Sequence, residues 1–92
     1  MPRLAHWREA TVAFDTALTL KPDHAVAHLN YGVALAALND LPRAAEHLQR
    51  AVQLQPDNPD AHAQLAEVLT KQGQTELARQ HTETAARLRP PK

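Results

Sequence analysis

At 92 residues the chain is short for a domain with a large core, so its stability must come from efficient packing of small elements. Ten Lys and Arg balance ten Asp and Glu, and the resulting net charge of zero argues against nucleic acid or an anionic membrane as a partner. There is no cysteine, hence no disulfide or thiolate metal site, and the absence of serine removes serine nucleophiles.

Alanine and leucine dominate, and Gly32 and Gly73 are the only glycines, a composition that favours helix over strand. The first predicted helix runs from about Arg3 to Leu20 and carries Trp7 and Phe14 seven residues apart. No long apolar stretch follows MPRLAHWREA, so neither a signal peptide nor a spanning helix is expected and the cytoplasm is the expected compartment. After Pro22, apolar residues at Ala27, Tyr31, Ala34, Leu35 and Leu38 recur at helical spacing and predict a second helix over about 24–38. Asn39, in LNDLP, suits a left-handed turn residue, and Pro42 suits the first turn of a third helix over about 42–54. That helix carries Ala44, Ala45, Leu48, Ala51 and Val52 on one face. Asn58 is expected to cap a fourth helix, opened by Pro59 and running to about 71. Gly73, in KQGQT, supplies the next turn, and a fifth helix follows over about 75–88. Arg8 with Glu9, Arg43 near Glu46, Glu76 near Arg79 and Glu83 near Arg87 read as a solvated face with weak local pairs.

A constant step organises these elements. Pro22, Pro56 and Pro90 are spaced by 34 residues, and the same step links Ala10, Ala44 and Ala78; Ala17, Ala51 and Ala85; and Leu20, Leu54 and Leu88. The leading helix aligns with the second helix of a repeat. The chain therefore divides into a half repeat at 3–21 and full repeats at 22–55 and 56–89, read as one domain over 1–92.

On these residues the sequence resembles the tetratricopeptide repeat family. Gly32 takes the family's small residue at the close crossing of the paired helices, and Ala66 fills that position one repeat later. Ala44, Ala78, Ala51 and Ala85 match the small positions of the second helix, Leu48 its large apolar position and Pro56 the proline after it. His28 and His62 depart from the pattern by standing where the family often has a large apolar residue, and Thr82 stands where Phe14 and Leu48 are large. The resemblance implies an all-α solenoid of five antiparallel helices wound into a right-handed superhelix, with a weaker last repeat.

Six histidines raise a metal or catalytic reading, and His24 and His28 have the i, i+4 spacing of a chelating pair. There is no third ligand and no HExxH, because residue 25 is alanine, and the repeat step alone explains the recurrence of His28 at His62 and of His47 at His81. No metal, cofactor or catalytic residue is assigned. Asp57 and Asp60 flank a helix start, Asp23 and Asp40 belong to turns, and glycine-rich phosphate loops are absent.

What is left to work is surface. Family geometry implies a concave face lined by Val26, Leu29, Asn30, Val33, Ala36 and Ala37 and continued by Asp60, Ala63, Gln64, Glu67, Thr70 and Lys71. Its first half is apolar and its second polar. The expected function is a protein-protein interaction scaffold that holds an apolar or mixed peptide or helix in this groove. A carboxylate clamp, which some family members use, is disfavoured because Leu29, Val33, Ala63 and Glu67 fall where its donors would stand. Two alternatives compete: a homodimer or higher oligomer formed through Trp7, Phe14, Leu18 and Leu77 on the end helices, and a repeat segment of a larger protein or enzyme.

Overall fold

The computed structural model describes residues 4–89. Its elements are α1 (Leu4–Leu20), α2 (Ala25–Ala37), α3 (Leu41–Leu54), α4 (Pro59–Lys71) and α5 (Thr75–Leu88). The spans agree with those expected, while Arg3 and Pro90 lie outside the described residues. Short turns return the chain after each helix, so successive helices run antiparallel. The tightest pairings are α2 with α3 and α4 with α5, which makes each of the two full repeats a helix hairpin.

The turns are built as their residues require. Asn39 and Gly73, one repeat apart, take left-handed backbone conformations with φ of 64° and 80°. The Asn58 side chain accepts from the Asp60 amide and caps α4, with Pro59 opening that helix. The His24 side chain caps α2: its Nδ1 accepts from the Ala27 amide at 3.2 Å.

The core runs between the hairpins. Tyr31 and Leu35 of α2, Ala44, Ala45 and Leu48 of α3, Leu65, Ala66, Val68 and Leu69 of α4 and Ala78 of α5 form one buried cluster. Phe14 and Leu18 of α1 pack against it, and Phe14 stacks on Tyr31 with ring centroids 6.2 Å apart. Gly32 sits where α2 and α3 cross most closely; a Cβ there would come within 2.5 Å of Leu48 Cγ and 3.2 Å of the Ala44 carbonyl oxygen. The 34-residue register does not always mark core, because Leu20 is 82% exposed.

Two expected ion pairs take other partners. Arg43 pairs with Asp40 at 3.6 Å instead of Glu46 and donates to the Tyr31 hydroxyl at 2.8 Å. Glu83 pairs with Arg79 at 3.0 Å, while Arg87 donates to Thr84. Arg79 also binds Glu76, as the spacing suggested. A further bridge joins Arg89 to Asp60, fastening the end of α5 to the start of α4.

Candidate groove between the first helices of the repeats

The apolar stripe of α2 and the polar stripe of α4 are brought face to face because α4 docks against the α2–α3 hairpin. Val33, Ala36 and Ala37 form one wall of a cleft of about 180 Å³, and Gln64, Glu67, Val68 and Lys71 form the other. Six of the twelve candidate groove residues thus meet: Val33, Ala36, Ala37, Gln64, Glu67 and Lys71. Val68 was not among the candidates. It is 2% exposed and floors the cleft one helical turn after Gln64, a position the i, i+4 spacing could have marked.

The remaining six candidates lie elsewhere, Asp60 among them in its bridge with Arg89. Val26 is 47% exposed, Asn30 is exposed and Leu29 is half-buried against the core, and none of the three lines this cleft. Ala63 lines a second, larger hollow of about 410 Å³ between α4 and α5, with Ala66, Thr70, Thr82, Ala85 and Arg89. Glu67 borders both. Stepped back by 34 residues, the walls of this hollow become Leu29, Gly32, Ala36, Leu48, Ala51 and Gln55 of the preceding hairpin, the one against which α4 packs.

The chemistry of the smaller cleft is that of a binding surface. Valine and alanine methyl groups offer apolar area on one side, and an amide, a carboxylate and an ammonium stand opposite on the same helix. An amphipathic segment can bury its apolar face on α2 and pair its polar groups with α4. Of the four end-helix candidates, Phe14 and Leu18 are engaged with the core, Trp7 is half-buried, and Leu77 is 37% exposed. The described residues contain no group of three or more His, Cys, Asp or Glu side chains placed to hold a metal, and no helix long and apolar enough to cross a membrane.

A family model described as TPR repeat matches residues 32–73, from the α2–α3 crossing to the turn before α5. A comparison with curated proteins found no match. Among solved structures, the chain is similar to MamA 41-end from Desulfovibrio magneticus RS-1, at a TM-score of 0.85 and 22% identity over 90% of this chain and 47% of that one. MamA AMB-1 superposes at a TM-score of 0.85 with 23% identity, over 91% of this chain and 49% of that one. The second TPR of Spaghetti (RPAP3), bound to the HSP90 peptide SRMEEVD, gives a TM-score of 0.87 at 19% identity, over 90% of this chain and 77% of that one. The chain spans about half the length of the MamA chains. At these identities the structural likeness speaks for the fold.

Proposed function

We propose that the chain, whose residues 32–73 match a TPR repeat model, is a protein-protein interaction module of that family whose groove takes an apolar or mixed peptide or helix. The observation that carries this reading is the cleft in which Val33, Ala36 and Ala37 face Gln64, Glu67 and Lys71. The RPAP3 domain of the same fold holds a peptide, which supports a peptide-sized occupant here. The composition of the cleft argues for a different ligand chemistry. Glu67 stands beside Lys71, its only cationic side chain, so a terminal carboxylate would meet repulsion as well as attraction. The half repeat and two full repeats act in this reading as one domain, resident in the cytoplasm, and the mechanism is surface complementarity without catalysis.

The test is selection of binders from a displayed library of helical and extended peptides, followed by titration against wild type and Val33→Glu. Val33 is half-buried at the cleft wall, so a carboxylate there is expected to weaken binding at least tenfold, the scale of a central contact, while the helical circular dichroism signal is retained. Undiminished binding by the variant would contradict the proposal.

A second reading, assembly with another copy, draws on the open hollow between α4 and α5 and on Leu77 at the surface. Light scattering across a hundredfold concentration range decides it. A rising mass that falls back to monomer in Leu77→Glu favours assembly; a constant monomer mass leaves the groove as the working surface.

A further inference from the structure

Four histidines form two identical constructions that the groove does not use. His28 on α2 and His47 on α3 approach with their Nδ1 atoms 3.1 Å apart, and the Nε2 of His28 lies 2.7 Å from the Pro22 carbonyl oxygen. One repeat later His62 and His81 meet Nδ1 to Nδ1 at 3.0 Å, with the Nε2 of His62 2.8 Å from the Pro56 carbonyl oxygen. The rings of each pair are stacked, and His28 and His62 are only 8% and 6% exposed. Each pair thus ties together both helices of a repeat and the turn that leads into them.

The proline carbonyl dictates the protons. It can only accept, so the Nε2 of His28 carries hydrogen and donates. In the neutral ring the Nδ1 is then bare, and the His47 ring must donate its Nδ1 hydrogen to it. The same logic sets His62 and His81. One added proton per pair can sit on the Nε2 of the half-buried His47 or His81 ring and leave the Nδ1–H···Nδ1 bond intact, whereas a second sets two N–H groups against each other with no acceptor between them.

We propose that these histidine pairs are proton-excluding clasps, one per repeat, which hold each helix hairpin to its preceding turn and release it in mildly acidic medium. The device is independent of what fills the cleft. The surroundings support it. Burial first, then the charges of His28 and Arg43, push His47 below the ordinary histidine range, against opposition from Glu46 on its own helix and Asp15 on α1. The Tyr31 ring of α2 covers His47 at a centroid distance of 4.3 Å. Burial, then His62, push His81 down as well. In the second repeat the register replaces Asp15, Arg43 and Glu46 with Gln49, Leu77 and Gln80, so that clasp has no counterparts of those charges.

The sign follows from linkage. The unfolded chain takes up a proton on both rings of each pair below about pH 6.5 and each folded pair refuses the second, so the stabilisation is complete above that pH and is lost as pH falls. Each excluded proton raises the unfolding constant about 25-fold between pH 7 and 5, and one per pair gives about 600-fold. Urea unfolding at the two pH values and constant ionic strength measures this, in a His24→Asn background that keeps the α2 cap and removes the neighbouring unpaired ring from the titration. His62→Gln with His81→Gln should reduce the rise to about 25-fold, since glutamine keeps a donor and an acceptor without titrating. Ring-nitrogen NMR of wild type, independent of whether the variant folds, should find Nδ1 bare on His28 and His62 and protonated on His47 and His81 at pH 7.5. An unfolding constant that does not change with pH, a rise of the same size in the glutamine variant, or four rings titrating independently near 6.5 in the folded protein would overturn the proposal.

Discussion

Gly32 carries the sharpest demand in the molecule. A methyl group there would reach within 2.5 Å of Leu48 Cγ and 2.8 Å of its Cδ2, and Leu48 is fully buried with nowhere to swing. Alanine would favour the helix by about 1 kcal/mol, yet forcing a side chain into a packed crossing costs about 1–3 kcal/mol. Gly32→Ala should therefore lose up to about 2 kcal/mol overall, read as a lowered urea midpoint with an unchanged slope; a higher midpoint would mean that the crossing is looser than its distances. In the second repeat the corresponding residues are Ala66 and Thr82, a larger residue where glycine stood and a smaller one where leucine stood. The role of Gly32 was legible because it occupies a recognisable motif position. The histidine partners were not: the register announces that His28 and His62 recur, but the Nδ1 contacts span 19 residues, and only packing reveals them.

At the level of elements, periodicity and proline placement located all five helices, because apolar residues recur at helical spacing and turn residues that few alternatives replace separate the segments. The cap of α2 was missed for an instructive reason. Histidine is not among the usual capping residues, yet His24 lies 34 residues before Asn58, and the register pairs it with a cap. Asp40 and Gln74 are also one step apart, and neither makes a side-chain cap bond. Asn39 and Gly73 allow a cleaner test of backbone strain. No atom lies within 4 Å of a Cβ built on Gly73, so only its φ of 80° opposes a side chain. Gly73→Ala should cost about 1 kcal/mol, and Gly73→Asn should cost less, as Asn39 holds the same conformation at the equivalent turn. Thermal unfolding of the two variants decides between strain and packing: equal losses would speak against strain.

Across the whole molecule burial is greatest in the middle helices and falls off toward both ends, toward α1, none of whose described side chains is fully buried, and toward α5. α3 buries Ala44, Ala45, Leu48 and Ala51, whereas α5 buries only Ala78 and Ala85, and Thr82 is exposed where its counterpart Leu48 is sealed. Amide exchange should accordingly be faster in α5 than in residues 42–54, and equal protection would contradict the weaker last repeat. The groove was legible in outline, since its two halves sit on helices of known register. Its true edges were not, because Val68 and Ala63 belong to faces distinguished only by how α4 rotates against each hairpin. The central claim is that the α2–α4 cleft is where a partner binds, and amide chemical-shift mapping with one library-selected peptide tests it most directly. Perturbations centred on Val33, Ala37, Gln64 and Lys71 are predicted; shifts confined to Thr82, Ala85 and Ala86 in the α4–α5 hollow, with the cleft silent, would contradict it.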